Sequence, residues 1–265
     1  MGSSWGSRGV FRRAQPDTLH IASDAGEGPL IILVHGVASS SAVFDRLIPL
    51  LTAKYRVIAI DLLGFGGSPV PEDATYTVEE HVAWLRATIT SLRPKAPFIL
   101  VGHSLGALLA SRYAAQYPGK VSRLVLVSPP IYLAPNEIGD PRMRALAGAY
   151  LKAYEYLREN KAFTLRNAAV IAKLMPIKDA FEITEINWRA FVLSMENCIE
   201  SQTTISDIAA VRVGVDIVYG VLDPFLVPAG LRIVEQMRHV TVRRVGANDH
   251  VIRNRLAKAV AKVIG

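Results

Sequence analysis

The sequence holds a single cysteine, Cys198, among 265 residues. One thiol cannot form an intramolecular disulfide, and it rules out a structural zinc site built from cysteines. A lone cysteine fits a reducing compartment, so a cytoplasmic location is expected. Cys198 falls inside a helical pattern and reads as a small buried apolar residue. Long hydrophobic runs are missing too. None approaches the ~18 residues that span a bilayer, so no stable membrane insertion is expected. The opening stretch MGSSWGSRGVFRRAQPDTLH has basic and small residues but not the apolar segment of a secretion signal. Gly6 stands where a myristoylation pattern wants Ser or Thr. Residues 1–17 are therefore expected to be a flexible leader. Acidic residues are in deficit, 23 Asp+Glu against 30 Lys+Arg, for a formal charge of +7. The basic residues are scattered over solvated helix faces such as RNRLAKAVAK, without an aromatic-interleaved patch, so no nucleic-acid partner is expected. No cluster has metal-ligand spacing and no P-loop is present, so neither metal nor cofactor is expected.

What the chain has in quantity is apolar sequence, 51% of its residues. Its length suits one large domain, or one domain with an insertion. Runs rich in Val, Ile and Leu occur at PLIILV (29–34), YRVIAI (55–60), PFILV (97–101), SRLVLV (122–127), VDIVYG (215–220) and VTVRRV (240–245). Most are continuous, as in strands buried on both faces of a parallel sheet. TLHIAS (18–23) adds a possible antiparallel edge strand. Between the runs lie helical patterns: SAVFDRLIPLLTA, TVEEHVAWLRATITSL with a Thr77/Glu80 capping box, and SLGALLASRYAAQY, stopped by Pro118-Gly119. This alternation predicts an α/β fold, doubly wound, with a mostly parallel sheet flanked by helices. Residues 131–212 break the rhythm with helical patterns alone. One face there carries Met143, Leu146, Ala147, Tyr150, Tyr154 and Leu157, and another carries Trp188, Phe191, Val192, Met195 and Ile199. These residues are expected to form a helical lid inserted into a core of 18–130 and 213–265.

The stretch FILVGHSLGA (98–107) sets Gly102, Ser104 and Gly106 at alternate positions between a strand and a helix. A tight strand–turn–helix lifts a nucleophile above the sheet, and close approach of strand and helix leaves no room for Cβ atoms at the glycines. The following helix turns its positive end toward the reacting oxygen. Ser104 is the expected nucleophile, and the Leu105 N–H a natural oxyanion donor.

A serine hydroxyl needs a base, and the base needs an acid behind it. His20 lies in the edge strand, His81 in a helix expected to pack outside, and His239 at the wrong end of a strand. His103 adjoins Ser104 but points elsewhere, and His35 belongs to the HG turn. His250, in the GANDH loop after the last strand, sits at the carboxyl edge where sites form. Asp223, past the VDIVYG strand, supplies the acid. Asp216 is at that strand's start, and Asp249 is expected to cap the last helix. In ILVHGVASSS the Val37 N–H can face Ser104 as the second oxyanion donor. DLLGFGGSP reads as a tight loop shaping the site wall.

LVHG, DLLGFGGS, GHSLG, YGVLDPF and GANDH, in this order, resemble the α/β-hydrolase superfamily from about residue 29 to the C-terminus, apart from the lid. The resemblance implies Ser104, Asp223 and His250 as catalytic triad and Val37 and Leu105 as oxyanion donors. It implies a serine hydrolase, carboxylesterase- or lipase-like, acting on a small-molecule apolar ester. Carbon–carbon bond hydrolysis, perhydrolase or haloperoxidase-like chemistry, cofactor-free oxygenation and a non-catalytic ligand receptor also use this fold. The usual Gly-His pairing is absent from the last motif, where Asp249 precedes the histidine.

Overall fold

A computed structural model describes residues 18–133, 137–174, 182–201, 203–226 and 228–265. The expected leader, residues 1–17, lies outside the described residues. Among the described residues seven strands form one sheet: β1 (Ile21–Ala25), β2 (Leu30–Val34), β3 (Arg56–Ile60), β4 (Phe98–His103), β5 (Val121–Val127), β6 (Val215–Gly220) and β7 (Val240–Val245). Their order is β1-β3-β2-β4-β5-β6-β7. Only β1 runs antiparallel, paired with β3 at one edge; the other pairs are parallel. The chain leaves β2 toward β3, then returns to β4 on the other side. Strand order thus reverses between β2 and β4, and such reversals open a crevice at the carboxyl ends of the strands.

Strand side chains alternate between the two faces, and both faces are covered. Ile32, Val34, Ile58, Ile60, Leu100 and Leu124 enter one buried cluster. Their neighbours Ile31, Leu33, Val57, Ala59, Val101 and Val125 enter another across the sheet. This explains why the strands read as continuous apolar runs rather than alternating ones. Each Ile or Leu so buried stabilises the fold by roughly 1.5–3 kcal/mol. The edge strand β7 is only partly buried, in an alternating pattern.

The helices are α1 (Ile48–Leu51), α2 (Val78–Ser91), α3 (Leu105–Gln116), α4 (Pro141–Glu159), α5 (Lys161–Leu174), α6 (Trp188–Ser194), α7 (Thr204–Ala210), α8 (Pro228–Val234) and α9 (Asn254–Ile264). Helix α9 buries Leu256, Ala257, Val260, Val263 and Ile264, the spacing of one helical face. The single helix expected over 41–53 is instead a 3₁₀ turn, Ser41–Phe44, and the short α1, with Pro49 in its first turn. Proline has no N–H to continue an earlier helix, so a new one starts there.

The capping box at α2 closes on one side only. Glu80 N donates to Thr77 Oγ1 at 3.2 Å. Glu80 Oε2 reaches past Thr77 to accept from the backbone N of Thr75 and of Tyr76, at 2.7 Å each.

Between β5 and β6 every described helix or strand is helical. The second aromatic stripe begins in α6 and continues as a π-helix, Met195–Glu200. That part is bolted to the loop before α2. Cys198 Sγ bonds Tyr76 O at 3.2 Å, Asn197 Nδ2 bonds Thr75 O at 2.8 Å, and Arg189 donates to Ala74 O at 2.5 Å. Cys198 is buried, as expected, and burial pushes its thiol well above the ordinary range. His81 departs from its expected outward position. It is fully buried, and its Nε2 lies 3.1 Å from Ser194 Oγ of α6. Helix α6 thus covers the face of α2 that carries His81. No described helix is long and apolar enough to cross a membrane.

Candidate active site

Ser104 stands at the carboxyl end of β4, beside the reversal of strand order between β2 and β4. At the head of β4 the chain turns sharply, and Ser104 takes φ 52°, ψ −123°. A non-glycine residue at positive φ is strained, and such strain concentrates at functional sites. Three glycines make the turn possible. A Cβ on Gly102 would lie 2.3 Å from Gly106 O, and one on Gly106 would lie 2.3 Å from Val34 O. A Cβ on Gly36 would lie 2.7 Å from Ser104 Cβ. The turn after β2 therefore runs directly against the serine, with Val37 next in the chain. Leu105 opens α3, buried behind the elbow. Ser104 N donates to Val127 O at 3.0 Å, which ties the elbow to the end of β5.

Histidine 35 fixes the turn before Val37. Its Nδ1 donates to Gly36 O at 2.7 Å, and its Nε2 accepts from Leu62 N at 2.9 Å. These partners define a neutral ring, and full burial pushes its pKa down despite Asp61 nearby. The glycine-rich loop folds back on Asp61, which accepts from Ser41 N, Gly67 N and His20 Nδ1. A Cβ on Gly66 would lie 2.3 Å from Asp61 Oδ2.

Asp223 and His250 are brought together across the ends of β6 and β7. His250 Nδ1 donates to Asp223 Oδ2 at 2.8 Å. The approach has a local cause. A Cβ on Gly220 would lie 2.2 Å from Asn248 O, and Leu222 N donates to Asn248 O at 2.9 Å. The two loops thus touch backbone to backbone. Asp223 Oδ1 accepts from Phe225 N at 2.9 Å. Burial raises the Asp223 carboxyl, but the bond and charge of His250 and the Phe225 N–H outweigh it and hold the group below the usual carboxylate range. The Phe225 ring meets His250 edge-on, centroids 4.8 Å apart.

His250 also lies beside the elbow. His103 Nε2 donates to His250 O at 2.9 Å, and the two rings are 4.9 Å apart. Burial, then the nearby His250, pushes His103 down to about 3, so it stays neutral. The His103 side chain is spent on the backbone of the expected base. Among the described residues the Ser104 hydroxyl makes no hydrogen bond, so the link from Ser104 to His250 is open in this structure. Asp249 does not cap the last helix. Its carboxylate accepts from Val251 N at 3.1 Å and pairs with Arg253 at 2.8 Å, closing a turn before α9. Helix α9 starts at Asn254, beyond the reach of a capping role for residue 249.

Sequence reasoning missed Tyr132 and Phe225, which bond to Asp223 or its loop. Neither sits in a recognisable spacing; only Tyr150 and Tyr154, four apart on α4, left a trace.

Residues 29–195 match the family model described as alpha/beta hydrolase fold. The chain belongs to this family. It is 38% identical over 113 residues to the probable lysophospholipase BODYGUARD 2 of Arabidopsis thaliana, covering 41% of this chain and 24% of that one. It is 35% identical over 124 residues to the pimeloyl-[acyl-carrier protein] methyl ester esterase of Aeromonas hydrophila, covering 46% and 47%. The matched stretch spans about a quarter of the length of the Arabidopsis BODYGUARD 1, 2 and 3 relatives. Among solved structures, E-2-(acetamidomethylene)succinate hydrolase superposes with TM-score 0.65 at 25% identity, covering 91% of each chain. The enol-lactonase from Burkholderia xenovorans LB400 gives 0.67 at 20% identity, covering 93% of this chain and 94% of that one, a likeness of fold.

Proposed function

We propose that the protein is a serine hydrolase that cleaves a carboxylic ester through Ser104, His250 and Asp223. The observation that carries this reading is the strained backbone of Ser104 at the strand-order reversal, held by glycines that admit no side chain. The Asp223–His250 bond beside it supplies a base in the right tautomer. Its Nδ1 proton is committed to Asp223, which leaves Nε2 bare to take the Ser104 proton. Closing that contact takes a side-chain movement of the serine or the imidazole, as is common before substrate binds.

The serine oxygen then attacks the ester carbonyl. The N–H groups of Val37 and Leu105 receive the charge on the carbonyl oxygen. His250 passes its proton to the leaving alkoxide, and an acyl-serine remains. Water, deprotonated by the same imidazole, attacks the acyl carbon, and Ser104 recovers its proton. The named relatives support ester bonds as the target, one as a methyl ester esterase and others as probable lysophospholipases. The substrate is an ester with an apolar acyl or alcohol part, and residues 131–212 act as its lid. A cytoplasmic location goes with this reading, supported by the single buried cysteine.

A fluorophosphonate probe tests the proposal directly. Labelling is expected at Ser104, lost in Ser104→Ala. On ester substrates the same variant should lose about 10⁴-fold or more in kcat. Ester turnover by Ser104→Ala near the wild-type rate sinks the mechanism.

A further inference from the structure

The loop that carries Asp223 is held from outside the sheet by tyrosines. Tyr132 OH donates to Phe225 O at 2.8 Å. Its oxygen lies 2.6 Å from Tyr154 OH. Tyr132 has one proton, and the carbonyl can only accept, so that proton goes to Phe225 O. Tyr154 must then donate to Tyr132. Tyr150 OH donates to Pro224 O, and its ring stacks on Tyr132 with an interplanar angle of 13°. Tyr150 and Tyr154 belong to α4 in the insertion, and Tyr132 lies just beyond β5. Tyr132 and Tyr154 are both buried, at 7% exposure each. Burial raises both phenols, so all their protons stay available as donors.

The carbonyls held are those of Pro224 and Phe225, the two residues after Asp223. Phe225 is also the residue whose N–H bonds the Asp223 carboxylate and whose ring rests on His250. A short chain of contacts therefore runs from α4, through Tyr154 and Tyr132, to the Phe225 backbone and on to both members of the acid–base pair.

We propose that Tyr132 is a positioning residue for the Asp223–His250 pair, with Tyr154 orienting its hydroxyl, so that the seating of the inserted helix α4 sets the geometry of the acid and base. This rests on the role proposed above for that pair. Without the Tyr132 hydroxyl, Phe225 loses its anchor, the Asp223 carboxylate turns, and the bond to His250 loosens. Substrate pressing on α4 would act on the same chain of bonds.

The experiment compares Tyr132→Phe and Tyr154→Phe with Thr88→Ala, a buried hydrogen-bond deletion between α2 and the chain before β1. The first readout is the low-field proton resonance of His250 Nδ1–H, recorded without substrate and assigned by its loss in His250→Gln. It is expected to weaken or move upfield in Tyr132→Phe, less so in Tyr154→Phe, and not in Thr88→Ala. The second is ester hydrolysis. Tyr132→Phe should lower kcat about tenfold or more with KM little changed, and move the acidic limb of kcat/KM to lower pH. An unchanged resonance and an unchanged limb in Tyr132→Phe overturn the proposal, as does absence of the resonance from the wild-type protein. Should Tyr132→Phe fail to fold, Tyr154→Phe decides by the same two readouts. The resonance needs no turnover. A protein that keeps its dependence on Tyr132 but takes no fluorophosphonate refutes the esterase reading alone.

Discussion

Gly220 shows how much of the proposed site hangs on one missing side chain. Its Cα faces the carbonyls of Asn248 and Asp249, and any Cβ would lie 2.2 Å from the first. Both are backbone atoms and cannot swing aside. Gly220→Ala must therefore push the end of β6 away from the loop that holds His250. We expect it to destabilise the fold by about 1–3 kcal/mol, as overpacking does. Ester kcat should fall by more than loss of folded protein explains, about 100-fold, because a shift near 1 Å in reacting groups has that effect. Thermal melts and kcat per mole of folded enzyme separate the two. A variant that melts early yet turns over normally would show that the loop contact positions nothing.

At the scale of elements, the helices between β5 and β6 are attached in two different ways. The α6 and π-helical part is built into the core through Phe191, Met195, Cys198 and Ile199. Helix α4 buries only Ala147 and Tyr154 deeply, and it reaches the π-helix through the Arg158–Glu200 pair at 3.1 Å. Its helicity thus leans on intrinsic preference more than on packing. Gly148 lies near its middle, where an added Cβ would meet nothing within 4 Å. Gly148→Ala should stabilise α4 by roughly 0.5–1 kcal/mol, the ordinary difference between these residues in a helix. Hydrogen exchange at α4 amides should slow accordingly, about two- to fivefold. Unchanged or faster exchange would mean that Gly148 is needed for its shape.

For the whole molecule, buried histidines are expected to limit stability toward acid. Burial, with His35 adding a smaller push, brings His81 down to about 3, and burial likewise brings His103 to about 3. Unfolded, both titrate near 6.5. Between these values the unfolded chain binds protons that the folded one does not, so stability rises with pH there and is lost as pH falls from 6.5 toward 3. Each histidine contributes a slope of about 1.4 kcal/mol per pH unit. Asp61 and Asp223, held below the usual carboxylate range, add their loss only as pH drops through about 4 and below. Urea unfolding at pH 7.5, 6 and 5 should therefore show midpoints dropping before Asp61 or Asp223 protonates. His81→Gln, which keeps a polar partner for Ser194, should flatten that curve. A flat curve in the wild-type protein would show these rings to be protonated or solvated when folded.

Much was legible in the sequence, and the reasons are local. Continuous Val, Ile and Leu runs signal strands covered on both sides, and β2 to β6 lie where those runs fall, with β7 at the alternating VTVRRV. The elbow glycines are readable because close backbone approach excludes every other residue. Alternation of strand and helix follows from the same short-range rules, while the family was legible in the motifs LVHG, DLLGFGGS, GHSLG, YGVLDPF and GANDH. What the sequence could not contain is which distant segments share a surface. His81 looked like an outer helix residue until α6 covered it. His103 was next to Ser104 in the chain, yet its partner is the backbone of His250, 147 residues away. Tyr132, Tyr154 and Phe225 meet only because β5, α4 and the loop after β6 converge. Periodicity tells which face of a helix is apolar, a property of neighbours along the chain. It does not tell what lies against that face, which depends on how a whole sheet twists and in what order its strands lie side by side.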